Sequence, residues 1–233
     1  MMAMLGVMLQ GVVVSLEVFF LTLLFSLPLA FPVAFARMSR NKVARGLITL
    51  YLLIMRGTPL ILQLIFIYFS PKYLYRFLYD SFSGFISAVG FWQGLQVLLS
   101  YNRFTAVILA FTLNYAAYFA EIYRGGIESI AKGQYEAAKV LGFTRFKTFW
   151  RIIMPQVVKR ILPSTTNEVI TLVKDTALAQ TIGVAELFHA AQNASAREFS
   201  TMPIFIAGVF YFVMNWVVSF VFTAGEKRLS YYS

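Results

Sequence analysis

A chain of 233 residues with 59% hydrophobic and 13% charged residues, and a mean hydropathy of +0.71, has too little polar surface to be a soluble domain. Its formal charge of +10 does not point to nucleic acid, because most cations cluster in short segments between apolar runs, as in the cytoplasmic loops of membrane proteins. The absence of cysteine excludes disulfides and thiolate metal sites, and the single histidine, His189, leaves no histidine cluster, so no metal site is expected.

A helix needs roughly 20 apolar residues to cross the hydrocarbon core. The N-terminal MMAMLGVMLQ lacks the cationic start of a signal peptide, and the apolar run after it is too long for one, so it is expected to be retained as a span. That first span covers residues 11–36, carries Glu17, and ends at the cationic loop Arg37, Arg40, Lys42 and Arg45. The second, 46–70, is interrupted by Arg56, and the third, 104–123, carries Glu121 near its end. The fourth, 162–186, is the least apolar, with Glu168, Lys174 and Asp175 inside it, whereas the fifth, 203–225, has no charge.

Another uncharged stretch, 81–102, is long enough to cross but diluted by Ser, Gly and Gln. With five spans, 14 of the 20 cations fall on one side; a sixth span would split the two richest cationic loops across the membrane. The positive-inside rule therefore predicts an all-α integral membrane protein of five spans, with the N-terminus outside and the C-terminus in the cytoplasm. The external segment 71–103 then holds a helix at the outer interface, and residues 1–233 form one membrane domain.

Within the second span, Gly57, Thr58 and Pro59 predict a broken helix: proline removes a backbone donor and frees a carbonyl, and glycine lets a ligand approach the backbone. Broken helices at mid-membrane are where transporters hold polar substrates; the competing reading is a kink that serves packing. Arg56 could bind a solute carboxylate, reach the cytoplasmic interface or pair with Glu121; of these the structural roles are favoured. Between the third and fourth spans lies a basic island, within the cytoplasmic loop 128–160 and the start of the next span. Its cations are Lys139, Arg145, Lys147, Arg151, Lys159 and Arg160. It reads as two short helices joined by a turn. Residues 134–141 form the first, with Ala137 and Ala138 as a small-residue face; Gly142 ends it. Phe146, Phe149, Trp150 and Ile153 recur at helical spacing in the second, and Pro155 closes it. From the residues alone this is equally an interfacial helix or a docking knob for a cytoplasmic partner.

Charged groups at membrane depth cost at least ~2.5 kcal/mol, so they are expected to face protein or water. Glu168 shares a helix face with Asp175 at heptad spacing, and Lys174 and Asp175 are expected to pair with other spans rather than each other. No phosphate-binding loop, H-E-x-x-H or G-x-S-x-G is present, so the chain neither hydrolyses ATP nor looks like an intramembrane enzyme.

Glu136-Ala137-Ala138, with Gly142, Ile153 and Pro155 beyond, resembles the EAA loop of permease subunits of ATP-binding cassette importers. More narrowly, the chain is similar to the polar amino acid uptake permeases. It is so in Arg56-Gly57-Thr58-Pro59-Leu60 with Gln63, and in Ala116-Ala117-Tyr118, Glu121, Arg124-Gly125-Gly126-Ile127 and Gly133-Gln134. Pro155-Gln156, Pro163, Asn167-Glu168 and Lys174-Asp175-Thr176-Ala177-Leu178 complete the likeness, which covers about 31–187. Two features depart from it: the external segment is longer, and Ala177 stands where many members have Ser.

The resemblance implies a transmembrane importer subunit in the cytoplasmic membrane of a prokaryote. It implies coupling helices that sit in a groove of a separate ATPase, with Gln134 and Glu136 as polar contacts, Ala137 and Ala138 as the close-contact face, and Gly142 as the turn. It implies a substrate pocket drawn from Glu168, Gly57, Thr58, Pro59, Asp175 and Thr176, Glu168 meeting an α-ammonium or a cationic side chain. The implied partners are two ATPases that bind ATP and magnesium, a second permease copy or homologue, and an extracytoplasmic amino-acid-binding protein; no cofactor is expected in this chain. The alternative is an ion-gradient transporter or channel subunit with Glu168 or Asp175 as its ion site.

Overall fold

A computed structural model describes residues 2–83 and 89–229; within them the chain is helical and contains no strand. Ten α-helices follow in order: α1 (Met2–Arg37), α2 (Lys42–Gly57), α3 (Leu60–Phe82), α4 (Val89–Leu99), α5 (Arg103–Glu128), α6 (Lys132–Val140), α7 (Arg145–Thr148), α8 (Met154–Asp175), α9 (Leu187–Glu198) and α10 (Met202–Leu229). Among the described residues, three helical stretches are long and apolar enough to cross a bilayer, Met4–Arg37, Arg103–Glu128 and Met202–Lys227; α2 and α3 together make a fourth candidate.

The break at 58–59 is far larger than a kink. Instead of one span over 46–70, α2 and α3 meet at 112°. Asn41 caps α2, its side chain accepting from the backbone N–H of Val43 and Ala44. Pro59 starts α3 from an extended conformation.

The fourth expected span is also redrawn. Residues 162–186 are not one helix: α8 begins earlier and stops at Asp175, a 3₁₀ segment Thr176–Ile182 follows, and Gly183 turns the chain at φ 78° before α9. Nor does Pro155 close the preceding helix. A π-helical turn, Phe149–Ile153, runs from α7 straight into α8, and Pro155 lies just past it, where its missing N–H leaves the preceding turn one donor short without ending the helix. Lys159, Arg160, Glu168, Lys174 and Asp175 keep α8 from qualifying as a span by composition; it is embraced instead by α5 and α10.

α5 is the centre of the fold, packed by α1, α2, α3 and α8. Ala106, Ala110, Ala116, Ala117 and Ala120 are all buried along it, small residues that let neighbouring backbones come close where apolar burial alone gives no drive. Gly126 marks the tightest crossing: a Cβ there would lie 2.2 Å from Ile161 Cγ2 on α8. At the other end of the bundle, Gly11 of α1 lies against the backbone of Glu186 and Leu187. One face of α10 packs on α8 and α9, and the other is an exposed apolar surface left for lipid or a partner.

The stretch 81–102, expected as an external helix, is not one helix. α3 runs on through Phe82, residues 84–88 lie outside the described residues, and α4 spans 11 residues, about 16 Å, half a hydrocarbon core. Beyond it, the Tyr101 hydroxyl donates to the Ile67 carbonyl at 2.5 Å. That carbonyl lies four residues before Pro71, which has no N–H to offer it. Partial burial raises the Tyr101 pKa above its ordinary value, so the phenol stays a donor.

Candidate functional site

The α2–α3 break creates one obligation that the fold meets from elsewhere. Pro59 cannot donate to the Met55 carbonyl, and two side-chain amides replace it: Gln63 Nε2 and Asn114 Nδ2 both donate to Met55 O at 2.9 Å. Gln63 also donates to the Thr58 carbonyl and hydroxyl, and its own oxygen accepts from Asn114 at 2.9 Å. The carbonyl expected to be free for a solute is therefore occupied. Gly57, Thr58 and Pro59 remain exposed at the surface of the subunit, beside Arg56. Gln63 belongs to the sequence motif; Asn114, on α5, carried no signal because its partners are 51 and 59 residues away.

Below the break a cavity of about 520 Å³ opens between α2, α5 and α8, with Arg56, Tyr118, Glu121, Arg160 and Glu168 among its walls. Gly125, Gly126 and Ser129 lie at the end of α5 that leads into the basic loop. Glu168 is half-buried and faces this space from α8. Gly57 lines an adjoining cavity of about 360 Å³ with Arg37, Thr49 and Glu121, and Arg56 borders both. Glu168 and Gly57 are thus brought to neighbouring spaces.

Glu121 organises the cations here. Arg124 grips it with Nε at 3.2 and 3.1 Å and Nη2 at 2.7 Å, a charge-assisted fork. Arg37 and Arg56 approach only to 3.7 Å, ion pairs beyond hydrogen-bond reach. The expected pairing of Arg56 with Glu121 is present in this looser form. Arg160 donates to the Ser129 carbonyl and hydroxyl, which ties α8 to the end of α5.

Asp175 and Thr176 face elsewhere. The Asp175 carboxylate accepts from the Tyr115 hydroxyl at 2.7 Å, a bond to another span as expected, but from a phenol rather than a cation. Thr176 is buried, donates to the Val173 carbonyl at 2.8 Å, and lines an apolar cavity of about 240 Å³ against α1 and α10. Neither lines the Glu168 cavity.

Sequence reasoning missed Glu186, which appeared only as the end of a span. It is fully buried, and among the described residues it forms no ion pair. Its carboxylate caps α9 by accepting from the N–H groups of Phe188 and His189, both at 2.7 Å, and accepts from the hydroxyls of Tyr211 at 2.8 Å and Ser15 at 3.5 Å. Three elements, α1, α9 and α10, meet on one carboxylate. His189 is half-buried and lines a cavity of about 510 Å³ with Gln10, Asn193 and Arg197.

The basic loop forms the expected first helix and turn, but its second helix is not a separate short one: α7 continues through the π-turn into α8. Gly142, at φ 75°, donates to Lys139 O, and Phe143 donates to Ala138 O, both at 3.0 Å. This is the Schellman arrangement, which places glycine in the left-handed region. Thr144 restarts the chain by capping α7. Ala138 is buried within the subunit, whereas Gln134, Glu136 and Ala137 are exposed, and Val140, Leu141 and Phe146 stand out at 87, 73 and 73% exposure. The turn thus presents an apolar knob ringed by Glu136, Lys139, Arg145 and Lys147.

Residues 26–231 match the family described as binding-protein-dependent transport system inner membrane component. The nopaline transport system permease protein NocM of Agrobacterium fabrum is 36% identical over 213 residues, covering 91% of this chain and 83% of that one. A putative glutamine transport system permease protein, GlnP, of Rickettsia felis is 31% identical over 221 residues, covering 94% and 91%. A crystal structure of an amino acid ABC transporter with histidines superposes with a TM-score of 0.78 at 30% identity, covering 96% of this chain and 94% of that chain.

Proposed function

We propose, for a chain that belongs to the family of binding-protein-dependent transport system inner membrane components, that it is the membrane-spanning subunit of an ATP-driven importer of a polar amino acid. Relatives named for nopaline, glutamine, cystine and arginine transport support the solute class. In this reading the chain crosses five times with its N-terminus outside. α1, the bent α2–α3 pair, α5, α8 and α10 cross, and the loop 128–160 lies in the cytoplasm. The distribution of cations supports that orientation.

Five spans enclose no path alone, so two such subunits pair around it, above two ATPases and below a solute-binding protein. Closure of the ATPases draws the knobs formed by α6 and α7 together and turns the path outward; their separation returns it inward. Gln134, Glu136 and Ala137 contact the ATPase, Ala138 holds α6 against the subunit, and Gly142 sets the angle between the two helices. Glu168 meets the solute in the cavity of about 520 Å³, the vestibule, and Gly57, followed by Thr58 and Pro59, lines the adjoining space. Asp175, held by Tyr115, and Thr176 shape α8 above it.

The observation that carries this reading is the exposed apolar knob on a fixed Schellman turn, at the end of the helices that wall the vestibule. The test is purification of the tagged chain from its native membrane, with and without Glu136→Arg. An ATPase should accompany the wild type and be lost, or hydrolyse ATP without uptake, in the variant. Uptake that follows an ion gradient, with no ATPase attached, would refute it.

A further inference from the structure

Arg56 is the vestibule cation that Glu121 does not need. Arg124 already supplies three hydrogen bonds to that carboxylate, whereas Arg56 stops at 3.7 Å and leaves its side chain 44% exposed. Its guanidinium lies over the Tyr118 ring, 5.3 Å from the centroid, a contact that holds the group in the cavity while none of its N–H groups has a hydrogen bond to Glu121. Across the same cavity of about 520 Å³ stands Glu168, on a different helix.

We propose that Arg56 holds the carboxylate of the transported amino acid while Glu168 holds its ammonium, so that the vestibule selects the zwitterionic backbone of its solute. This deepens the importer reading and rests on it. A guanidinium fork matches a carboxylate in two parallel hydrogen bonds, and a carboxylate is the matching acceptor for an ammonium. Each solute charge then meets an opposite charge, which offsets its desolvation within the membrane. Two helices divide the task. Arg56 occupies the last turn of α2, next to the 112° bend, and Glu168 lies on α8. A change in that bend alters the distance between the two groups, so the pair grips the solute in one arrangement and loosens it in another.

The test uses the purified permease–ATPase complex without the binding protein, which has its own recognition of the solute. Equilibrium binding of L-glutamine, L-arginine and L-cystine is compared with that of their α-amides, in the wild type, Arg56→Gln and Arg56→Lys. The wild type should favour at least one acid over its amide by roughly tenfold or more, the scale of a charge-assisted pair. Arg56→Gln should weaken the acid, leave the amide unchanged and bring the ratio close to one; Arg56→Lys should keep part of the preference. Equal weakening of acid and amide, or no change in either, overturns the proposal. Should Arg56→Gln fail to assemble, Arg56→Lys decides: a reduced ratio supports the assignment and an unchanged one overturns it. A wild-type complex that hydrolyses ATP yet binds none of these solutes, or does not discriminate, overturns this proposal and leaves the importer reading standing; absence of any ATPase overturns both.

Discussion

Gly125 and Gly126 are neighbours on α5 with opposite prospects. An added Cβ at Gly125 meets nothing within 4 Å, but at Gly126 it would lie 2.2 Å from Ile161 Cγ2 and 3.1 Å from Val157 Cγ1. Carbon atoms pack best at about 3.5–4.0 Å, so α5 and α8 would have to part by more than an ångström, or Ile161 leave its rotamer. Overpacking of this kind costs about 1–3 kcal/mol, against which alanine returns about 0.5–1 kcal/mol of helix propensity. Gly126→Ala should therefore destabilise by about 1–2 kcal/mol net, taking the overpacking cost above its minimum, while Gly125→Ala gains the propensity alone, about 0.5–1 kcal/mol. Thermal unfolding of the purified subunit at one scan rate reads the order Gly125→Ala, wild type, Gly126→Ala, separated by about 2–4 °C per kcal/mol. Ile161→Ala on the Gly126→Ala background should recover part of the loss, so the pair is non-additive in a double-mutant cycle. Equal melting of Gly125→Ala and Gly126→Ala, or strict additivity with Ile161→Ala, would refute the close-packed crossing.

Gly142→Ala places a Cβ at φ 75°, a strain of about 1–2 kcal/mol. It should lower the melting temperature by a few degrees and also reduce the yield of co-purified ATPase, because the strained turn carries the exposed knob. Gln63→Leu removes donors from two carbonyls at the α2–α3 break, although Asn114 still serves Met55. A loss of about 1–3 kcal/mol is expected, and Asn114→Leu added to it should cost more than the sum of the single changes, since Met55 O then has no partner. Glu186→Gln turns one acceptor of a buried cap into a donor that faces other donors. It should lower thermal stability by about 1–3 kcal/mol, and Tyr211→Phe, which removes one donor of four, by less.

Some of this was legible because its cause is local. The presence of α1 and α10 follows from long apolar runs, although α1 starts well before the expected residue 11; the break at Pro59 follows from a missing N–H, and the turn of the basic loop from the position of Gly142 after a helix-forming stretch, each depending on a few neighbouring residues. The family resemblance rested on the same short motifs. A charge count assigned loops to sides, but it could not say how far α8 extends, because a helix carrying Glu168, Lys174 and Asp175 is tolerated only where α5 and α10 cover it.

Tertiary structure alone decided where the polar groups find their partners. Pro59 announces an orphaned carbonyl at Met55, yet the amide that meets it comes partly from Asn114 on another helix, which turned an expected solute contact into a structural joint. Asp175 was expected to seek a charge and found the Tyr115 hydroxyl; Arg56 was expected to serve Glu121 and was left half-free because Arg124 arrived first, from the same helix turn. Glu186 had no sequence signal at all, since nothing nearby in the chain announces that Ser15 and Tyr211 will close over it. Backbone preferences act across one helical turn, so sequence states what must be broken or turned. Which side chains satisfy the groups so exposed depends on helices brought together from 25 to 171 residues away, and only packing sets that.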